Sequence, residues 1–411
     1  MNYYDIIVAG GGPAGMMAAI AAAGSGKKVL LLERNEKLGK KLYITGKGRC
    51  NITNDAEMSD FYSHIVKNPK FLRSALSRLD NRDLISFMNE RGLKTKVERG
   101  GRVFPLSDRS SDVINVLVKE VERRGVVCRL NCRIVSISKR TSVFEVNTEK
   151  KSYEAGKIII ATGGLSYPST GSTGDGYRIA EALGHEIENT RPSLVPLRSN
   201  DRVCSELQGV SLKNVRISIV QNGKAYLSDI GEMLFTESGI SGPLVLTASC
   251  YMDDPKTADT FCYLDLKPAL DEKTLDLRIL RDFDEAKNKS LRNGISKLLI
   301  NSLIQPVLTA SGVDPEKKVN EITKEERKSI LKTVKAFRIN IDSFAGYNEA
   351  VITRGGVNVK EIDPKTMESK KVPGLYFAGE VIDVDAETGG YNLQIAFSTG
   401  FAAGIAASEQ V

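Results

Sequence analysis

Gly10, Gly12 and Gly15 stand as G-x-G-x-x-G within Gly10-Gly11-Gly12-Pro13-Ala14-Gly15, and Glu33 follows eighteen positions after the last of them. Between a strand and a helix these glycines have separate tasks. The first permits a tight turn, the second lets a pyrophosphate approach the backbone, and the third lets helix and strand pack closely. The helix N-terminus, opened here by Pro13 and Ala14, turns its positive end to the phosphates. Glu33 ends the next strand, where its carboxylate either accepts the ribose hydroxyls or is only a solvated strand end. With strand, glycines, helix and second strand in this order, dinucleotide binding is the better reading.

Distant segments say which dinucleotide. Lys157–Gly164 is a buried strand running into Ala161-Thr162-Gly163, a turn common in FAD enzymes. Gly374-Leu375-Tyr376-Phe377-Ala378-Gly379-Glu380 is another strand and resembles the second FAD fingerprint, whose acid hydrogen-bonds the ribityl chain; Glu380 is that acid or only a helix-start carboxylate. Thr388-Gly389-Gly390-Tyr391-Asn392-Leu393-Gln394 opens a small-residue helix reaching about Ser408. Its dipole and free amides at Gly390–Leu393 would stabilise negative charge on the pyrimidine edge of reduced flavin. An NAD domain needs none of these later segments, so the expected cofactor is FAD.

The elements that must hold these residues begin with a βαβ unit: strand 3–9, helix 13–23 and strand 28–33. A parallel sheet with covered faces follows from it. Helical periodicity covers about 57–91 and 109–124, and strand-like runs cover 126–130, 133–138 and 143–147. The texture changes near Pro192-Ser193-Leu194-Val195-Pro196. Residues 192–267 read as antiparallel β structure and 268–341 as helical, after which the glycine-rich texture returns. The expected organisation is a discontinuous FAD-binding domain, 1–191 and 342–411, carrying an inserted substrate domain, 192–341. No second G-x-G-x-x-G follows a strand, so a built-in nicotinamide domain is not visible, and NADH or NADPH would bind only transiently.

The chain has 411 residues, 41% hydrophobic and 27% charged, with a mean hydropathy of −0.20. That excludes long disorder and fibres and predicts two or three domains. No apolar run spans a bilayer and the N-terminus lacks a basic signal region, so a cytoplasmic enzyme is expected, without a membrane partner. The net charge of +7 favours anionic cofactors and substrates. Without interleaved basic and aromatic clusters, no nucleic-acid partner is expected, and a small-molecule substrate is. Six irregularly spaced cysteines read as reduced thiols. His64 and His185 lack a metal-like neighbour pattern, so no metal site is expected. Cys50 has no close partner with which to form a disulfide across a flavin, which argues against disulfide reduction.

One long signature resembles a known family. Leu32-Glu33-Arg34, Leu38-Gly39-Lys40-Lys41-Leu42 and Thr45-Gly46-Lys47-Gly48-Arg49-Cys50-Asn51-Ile52-Thr53-Asn54 are similar to the BaiN-like, aminoacetone-oxidase-like family of FAD-dependent oxidoreductases. So are Ala161–Pro168, Gly171-Ser172-Thr173-Gly174-Asp175-Gly176-Tyr177, Phe235-Thr236, Gly239–Pro243, and Gly379-Glu380 with Asp383 and Gly389-Gly390-Tyr391-Asn392. The resemblance implies a glutathione-reductase-like, Rossmann-type α/β FAD domain with an inserted β-barrel-like portion and a helical portion. It also implies that Gly10–Gly15 with Glu33 and Arg34 hold the ADP half. Lys40, Lys41 and the loop Gly46, Gly48, Arg49, Cys50 and Asn51 would approach the pyrophosphate and flavin. Gly174 and Asp175 belong to the same signature. Ile134 or Val135 would offer backbone to the adenine or simply belong to a core strand. The chain departs from many relatives in two places, with Glu237 where histidine is common and Lys47 as an extra cation in the flavin loop.

The leading reaction expected from these signals is NAD(P)H-linked reduction of a conjugated C=C bond, of enone or steroid-dienone type, by hydride from flavin N5. Arg354 would polarise a carbonyl or sit in a surface turn, and Tyr391 would donate a proton or stack on the ring. Glu237 would alter any proton transfer made by the histidine it replaces. Amine oxidation with release of hydrogen peroxide is the alternative. A further one is an FAD-containing, RNA-associated protein without turnover.

Overall fold

The structure, a computed structural model, describes residues 2–409. The chain divides into two compact units, Met1–Ser193 with Tyr347–Val411, and Leu194–Gly346.

The first unit opens with β1 (Asn2–Ala9), α1 (Pro13–Ala23) and β2 (Val29–Leu32). Every residue of β2 and Ile6–Ala9 of β1 is buried, as expected for strands covered on both faces. A small antiparallel sheet follows, β3 (Thr53–Asn54), β4 (Thr95–Glu98) and β5 (Arg102–Pro105), with β5 in the middle. α2 (Ser110–Arg123) leads into β6 (Val127–Arg129), and β7 (Ile134–Arg140), β8 (Val143–Thr148) and β9 (Ser152–Ile160) form an antiparallel meander. β9 then re-enters beside β1, giving the parallel order β6-β2-β1-β9.

The helical periodicity of 57–91 is not one helix. It resolves into Met58–Ser63, a short strand Ile65–Lys67, Arg73–Arg78 and Asn81–Glu90. Pro69 disfavours helical geometry at Asn68, which takes a φ of 56° instead. Asp80 restarts the last helix with a capping box to Asp83.

In the second unit, β10 (Ser211–Gln221), β11 (Gly231–Thr236), β12 (Thr260–Asp265) and β13 (Phe337–Ile341) belong to an eight-stranded antiparallel sheet. Its hydrogen-bonded path ends at β13 on one side and at Ser343–Phe344 on the other. Those end strands are separated in the chain by Asp342 alone, so the sheet must curl back on itself. α3 (Glu272–Glu285), α4 (Asn301–Ser311) and α5 (Lys324–Lys335) share a core with it, including Ile279, Val307 and Val334.

The chain returns to the first unit with β14 (Ile352–Val357), paired to Ile187–Ser193, and with β15 (Leu375–Phe377), which adds to β9 in parallel. α6 (Tyr391–Ser408) ends the fold. It is apolar nearly all round, as a helix buried on all sides must be. It lies so close to α1 that a methyl group at Gly404 would stand 2.4 Å from the Ala18 carbonyl oxygen. Among the described residues no helix is long and apolar enough to cross a membrane.

Gly404→Val should therefore force α1 and α6 apart and cost roughly 1–3 kcal/mol of stability, read as a lowered midpoint of denaturant unfolding. An unchanged midpoint would contradict the packing described.

Candidate functional site

A cleft of about 200 Å³, partly open to solvent, runs across the C-terminal ends of β1, β2 and β9. That edge is where doubly wound sheets bind ligands. Gly10, Gly12, Pro13, Ala14, Glu33, Arg34, Lys40 and Lys41 line it. So do Ala161, Thr162, Gly163, Asp175, Glu380, Asn392 and Leu393.

The glycine turn explains itself at three levels. A methyl group at Gly10 would lie 2.5 Å from the Ala161 carbonyl oxygen, and one at Gly15 only 1.8 Å from the Gly10 carbonyl oxygen. These two glycines serve the approach of strand, turn and helix. A methyl group at Gly12 would meet nothing within 4 Å, so the protein's own packing does not require glycine there. That open approach to backbone, beside a helix N-terminus with no side-chain cap and no acidic residue in its first turn, fits a pyrophosphate.

Two carboxylates flank the cleft, each held by three hydrogen bonds. Glu33 Oε2 accepts from the Gly11 amide at 2.7 Å, and Oε1 accepts from the Asn35 amide at 2.8 Å and from Asn35 Nδ2 at 2.7 Å. Glu380 Oε1 accepts from the Thr353 amide at 2.7 Å and Ser166 Oγ at 2.8 Å, and Oε2 accepts from Lys41 Nζ at 2.6 Å. A carboxylate has about four acceptor positions, so each keeps one on Oε2. Those positions suit a ribose hydroxyl at Glu33 and a ribityl hydroxyl at Glu380. Thr162 adds a buried hydroxyl with no partner among the described residues. The residues present thus fit FAD.

Asp175 is bound by Arg133 through two contacts of 2.8 Å and by Arg34 at 3.2 Å. The Arg133 hydrogen bonds hold its carboxyl below the ordinary range. Ser172, from the signature, also lines the cleft, as do Arg133 and Thr353, which carried no sequence signal because each is placed by a partner distant in the chain.

Other expected residues lie off the cleft wall. Ile134 lines it, whereas Val135 is exposed and offers its carbonyl to Arg178. Gly46, Gly48, Arg49, Cys50 and Asn51 stand behind Thr45, which does line it. Arg49 binds Glu98 and Asp108 and lies over the Phe104 ring. Cys50 is fully buried, which pushes its thiol up to about 12, so it is no thiolate nucleophile. Gly174 precedes the helix Asp175–Ala182, Gly379 packs on Ala14, and Gly390 abuts the Thr53 carbonyl.

Tyr391 does not face the cleft. Its ring is stacked on His64 at 4.5 Å and meets Phe61 edge-on, and burial raises its hydroxyl well above the ordinary value. It packs there, outside the residues that line the cleft. Arg354 lies inside β14 rather than in a surface turn, with Nε 3.9 Å from Asp385 Oδ1. Glu237 belongs to the second unit, exposed between β11 and the strand Gly239–Ser241.

Sequence reading passed over Asp385. It is 1% exposed, and neither carboxylate oxygen has a hydrogen-bond partner among the described residues. Burial raises it to about 6, opposed by Arg354, helped by Asp383, and opposed again by Arg191 and Lys67.

Fold and cleft together define a Rossmann-type flavoprotein, an oxidoreductase whose cofactor is FAD. The chain belongs to the HI0933-like family, whose Rossmann domain it matches over residues 4–406. It is 33% identical to the ribosomal RNA dihydrouridine synthase of Escherichia coli K12 over 98% of this chain and 97% of that one. It is 30% identical to the 3-dehydro-bile acid delta(4,6)-reductase of Clostridium scindens over 93% of each. Among solved structures it resembles a 3-ketosteroid delta1-dehydrogenase from Sterolibacterium denitrificans, with a TM-score of 0.55 and 14% identity over 100% of both chains, a likeness of fold.

Two outcomes test the site. Glu33→Ala leaves the Gly11 amide and Asn35 without their acceptor and should cut FAD retention at least tenfold during gel filtration, while Lys150→Ala, on an exposed turn, should not. Asp385 favours its proton in the folded state, so its contribution to stability falls as pH rises from about 4 to about 6 and stays low above. Asp385→Asn removes that loss, a gain of up to about 3 kcal/mol for two pKa units. The melting temperature of Asp385→Asn relative to the parent should therefore climb between pH 4 and pH 7, and a flat difference would contradict the burial argument.

Proposed function

We propose that the protein reduces a C=C bond conjugated to a carbonyl, and that this bond is C5=C6 of uracil within RNA. One observation carries the reading: near-complete likeness, at 33% identity, to a chain named for making dihydrouridine in ribosomal RNA. The bile-acid reductase supports the bond type, since its name also puts reduction at a C=C bond conjugated to an oxo group. Uracil and a steroid dienone share an electron-poor alkene carbon that accepts hydride and a neighbouring carbon that takes a proton.

Bound FAD, once reduced, supplies the hydride; the transient donor that reduces it is NADPH or NADH. The chain's own residues position the cofactor and tune its surroundings. The N-terminus of α1 would receive the pyrophosphate, Glu33 a ribose hydroxyl and Glu380 a ribityl hydroxyl, with Lys41, Ser166 and Thr353 holding Glu380 still. The start of α6, at Asn392 and Leu393, turns an uncapped positive helix end to the cleft and favours negative charge there. Asn392 keeps that turn in shape through three hydrogen bonds to Ala386 and Glu387.

The test begins with anaerobic titration of the purified protein with NADPH and then NADH, following the flavin band. Bleaching, followed by dihydrouridine in unmodified ribosomal RNA detected by mass spectrometry of nucleosides, is the expected result. Bleaching with turnover of steroid dienones and none of RNA would leave the bond type and overturn the substrate. Reduction of the flavin by amines alone, with peroxide released, would overturn both.

A further inference from the structure

The positive charge of this protein is not diffuse. Residues 37–109 hold 16 Lys and Arg against 8 Asp and Glu, whereas the whole chain holds 58 against 51. The remainder is thus close to neutral, and the excess sits in the segment that holds the β3-β5-β4 sheet, the loop before it and the helices between β3 and β4.

The register of that sheet gathers part of the excess on one face. Lys96 stands opposite Phe104 and Glu98 opposite Arg102, so these side chains share a side. Arg49 lies across Phe104, 4.2 Å from the ring centre. The two acids here are already answered, since Arg49 binds both Glu98 and Asp108 and Lys96 binds Asp108 at 2.5 Å. Around this neutralised centre Lys47, Lys94, Arg99, Arg102 and Arg109 are exposed. Lys47 projects from a turn in which Gly46, Lys47, Gly48 and Cys50 all have positive φ, a conformation a lysine adopts at a cost. Leu106, exposed and two residues beyond Phe104, follows on the same side, whereas Val97 turns to the opposite one.

The sheet also touches the cofactor end of the cleft. Asn54 donates to the Gly389 carbonyl at 3.1 Å, and Thr53 Oγ1 bonds Gln394 of α6 at 2.6 Å. Thr45, at the start of the Lys47 turn, lines the cleft itself.

We propose that this basic face docks the sugar–phosphate backbone of RNA and so presents a base to the cleft, an inference that rests on the uracil reading above. Cations committed to acids shape the face, while the exposed ones around them, Arg102 among them although it also lies 3.9 Å from Glu98, meet phosphates. Stems of Lys and Arg together with Leu106 give nucleotides apolar surface to lie on.

The experiment compares the FAD-loaded parent with a variant carrying Lys94→Gln, Arg99→Gln and Arg102→Gln. A control carries Arg140→Gln, Lys150→Gln and Lys151→Gln on the β7-β8-β9 meander. Binding of unmodified ribosomal RNA is followed by fluorescence anisotropy from 50 to 300 mM salt. The face variant should lose at least tenfold in affinity at about 100 mM salt, and its slope of log Kd against log salt should fall by about 2, near 0.7 per lost phosphate contact. FAD content, melting temperature and flavin bleaching by NADPH should match the parent, and the control should bind as the parent does. If the face variant loses FAD, Lys94→Gln with Arg99→Gln alone replaces it, with a slope change of about 1.4 expected.

A parent that reduces RNA while face variant and control show the same affinity overturns the docking face and leaves the uracil reading standing. A parent that neither binds nor reduces RNA overturns both. Loss of binding to phosphatidylglycerol vesicles, with RNA binding untouched, would give the face to a membrane surface and overturn the proposal.

Discussion

The Gly10 carbonyl faces Gly15 with no space for a methyl group, and the Ala161 carbonyl closes on Gly10 from the next strand. This backbone-to-backbone approach is the contact on which the rest of the cleft depends. It sets the first turn of α1 directly above the ends of β1 and β9, so the free amides of the helix point into the cleft instead of at another element. It leaves Gly12 as the open place on the rim. It also lets α6 run against α1 at near-backbone distance, and α6 brings the second helix N-terminus to the far end of the same cleft.

Around that contact the carboxylates are held rather than free. Glu33 is tied to the glycine turn it serves, and Glu380 is tied to Lys41, Ser166 and Thr353. A flexible acid would spend side-chain entropy on ordering when a ligand arrives; these two have already spent it on folding. Arg133 and Arg34 do the same for Asp175. The exception is Asp385, buried without hydrogen bonds among the described residues and close to Arg354. An unsatisfied buried carboxyl costs stability, and such costs gather near working sites.

The chemistry and the charge distribution point the same way. A cleft built for an anionic cofactor needs few cations of its own, since amides and helix ends supply much of its positive potential. Part of the surplus of residues 37–109 stands beyond those needs, on a sheet that touches α6. Average composition concealed this, because a net charge of +7 spread over 411 residues reads as mild. Only the pairing of Lys96 with Phe104 and Glu98 with Arg102 shows that part of it shares a face.

What the amino-acid sequence determined unaided is whatever depends on neighbours in the chain. The strand–glycine–helix–strand order at 3–33, the helix Pro13–Ala23 and the buried run before Ala161 were legible because period, turn chemistry and burial are local signals. Glu33 was legible because its distance from the glycines is set by one helix and one strand. One of the breaks in 57–91, at Asn68, turned on Pro69, a local signal set within otherwise helical periodicity. Tertiary structure alone decided the rest. Ser166 and Thr353 lie far from Glu380 in the chain and meet it only once β14 is in place. Tyr391 was a candidate by its position at a helix start, and stacking on His64 removed it from the cleft. Asp385 had no motif, because its significance is the absence of partners in a folded interior. Local spacing fixes which backbone atoms can reach a ligand, while burial and long-range pairing fix which charges remain free to act.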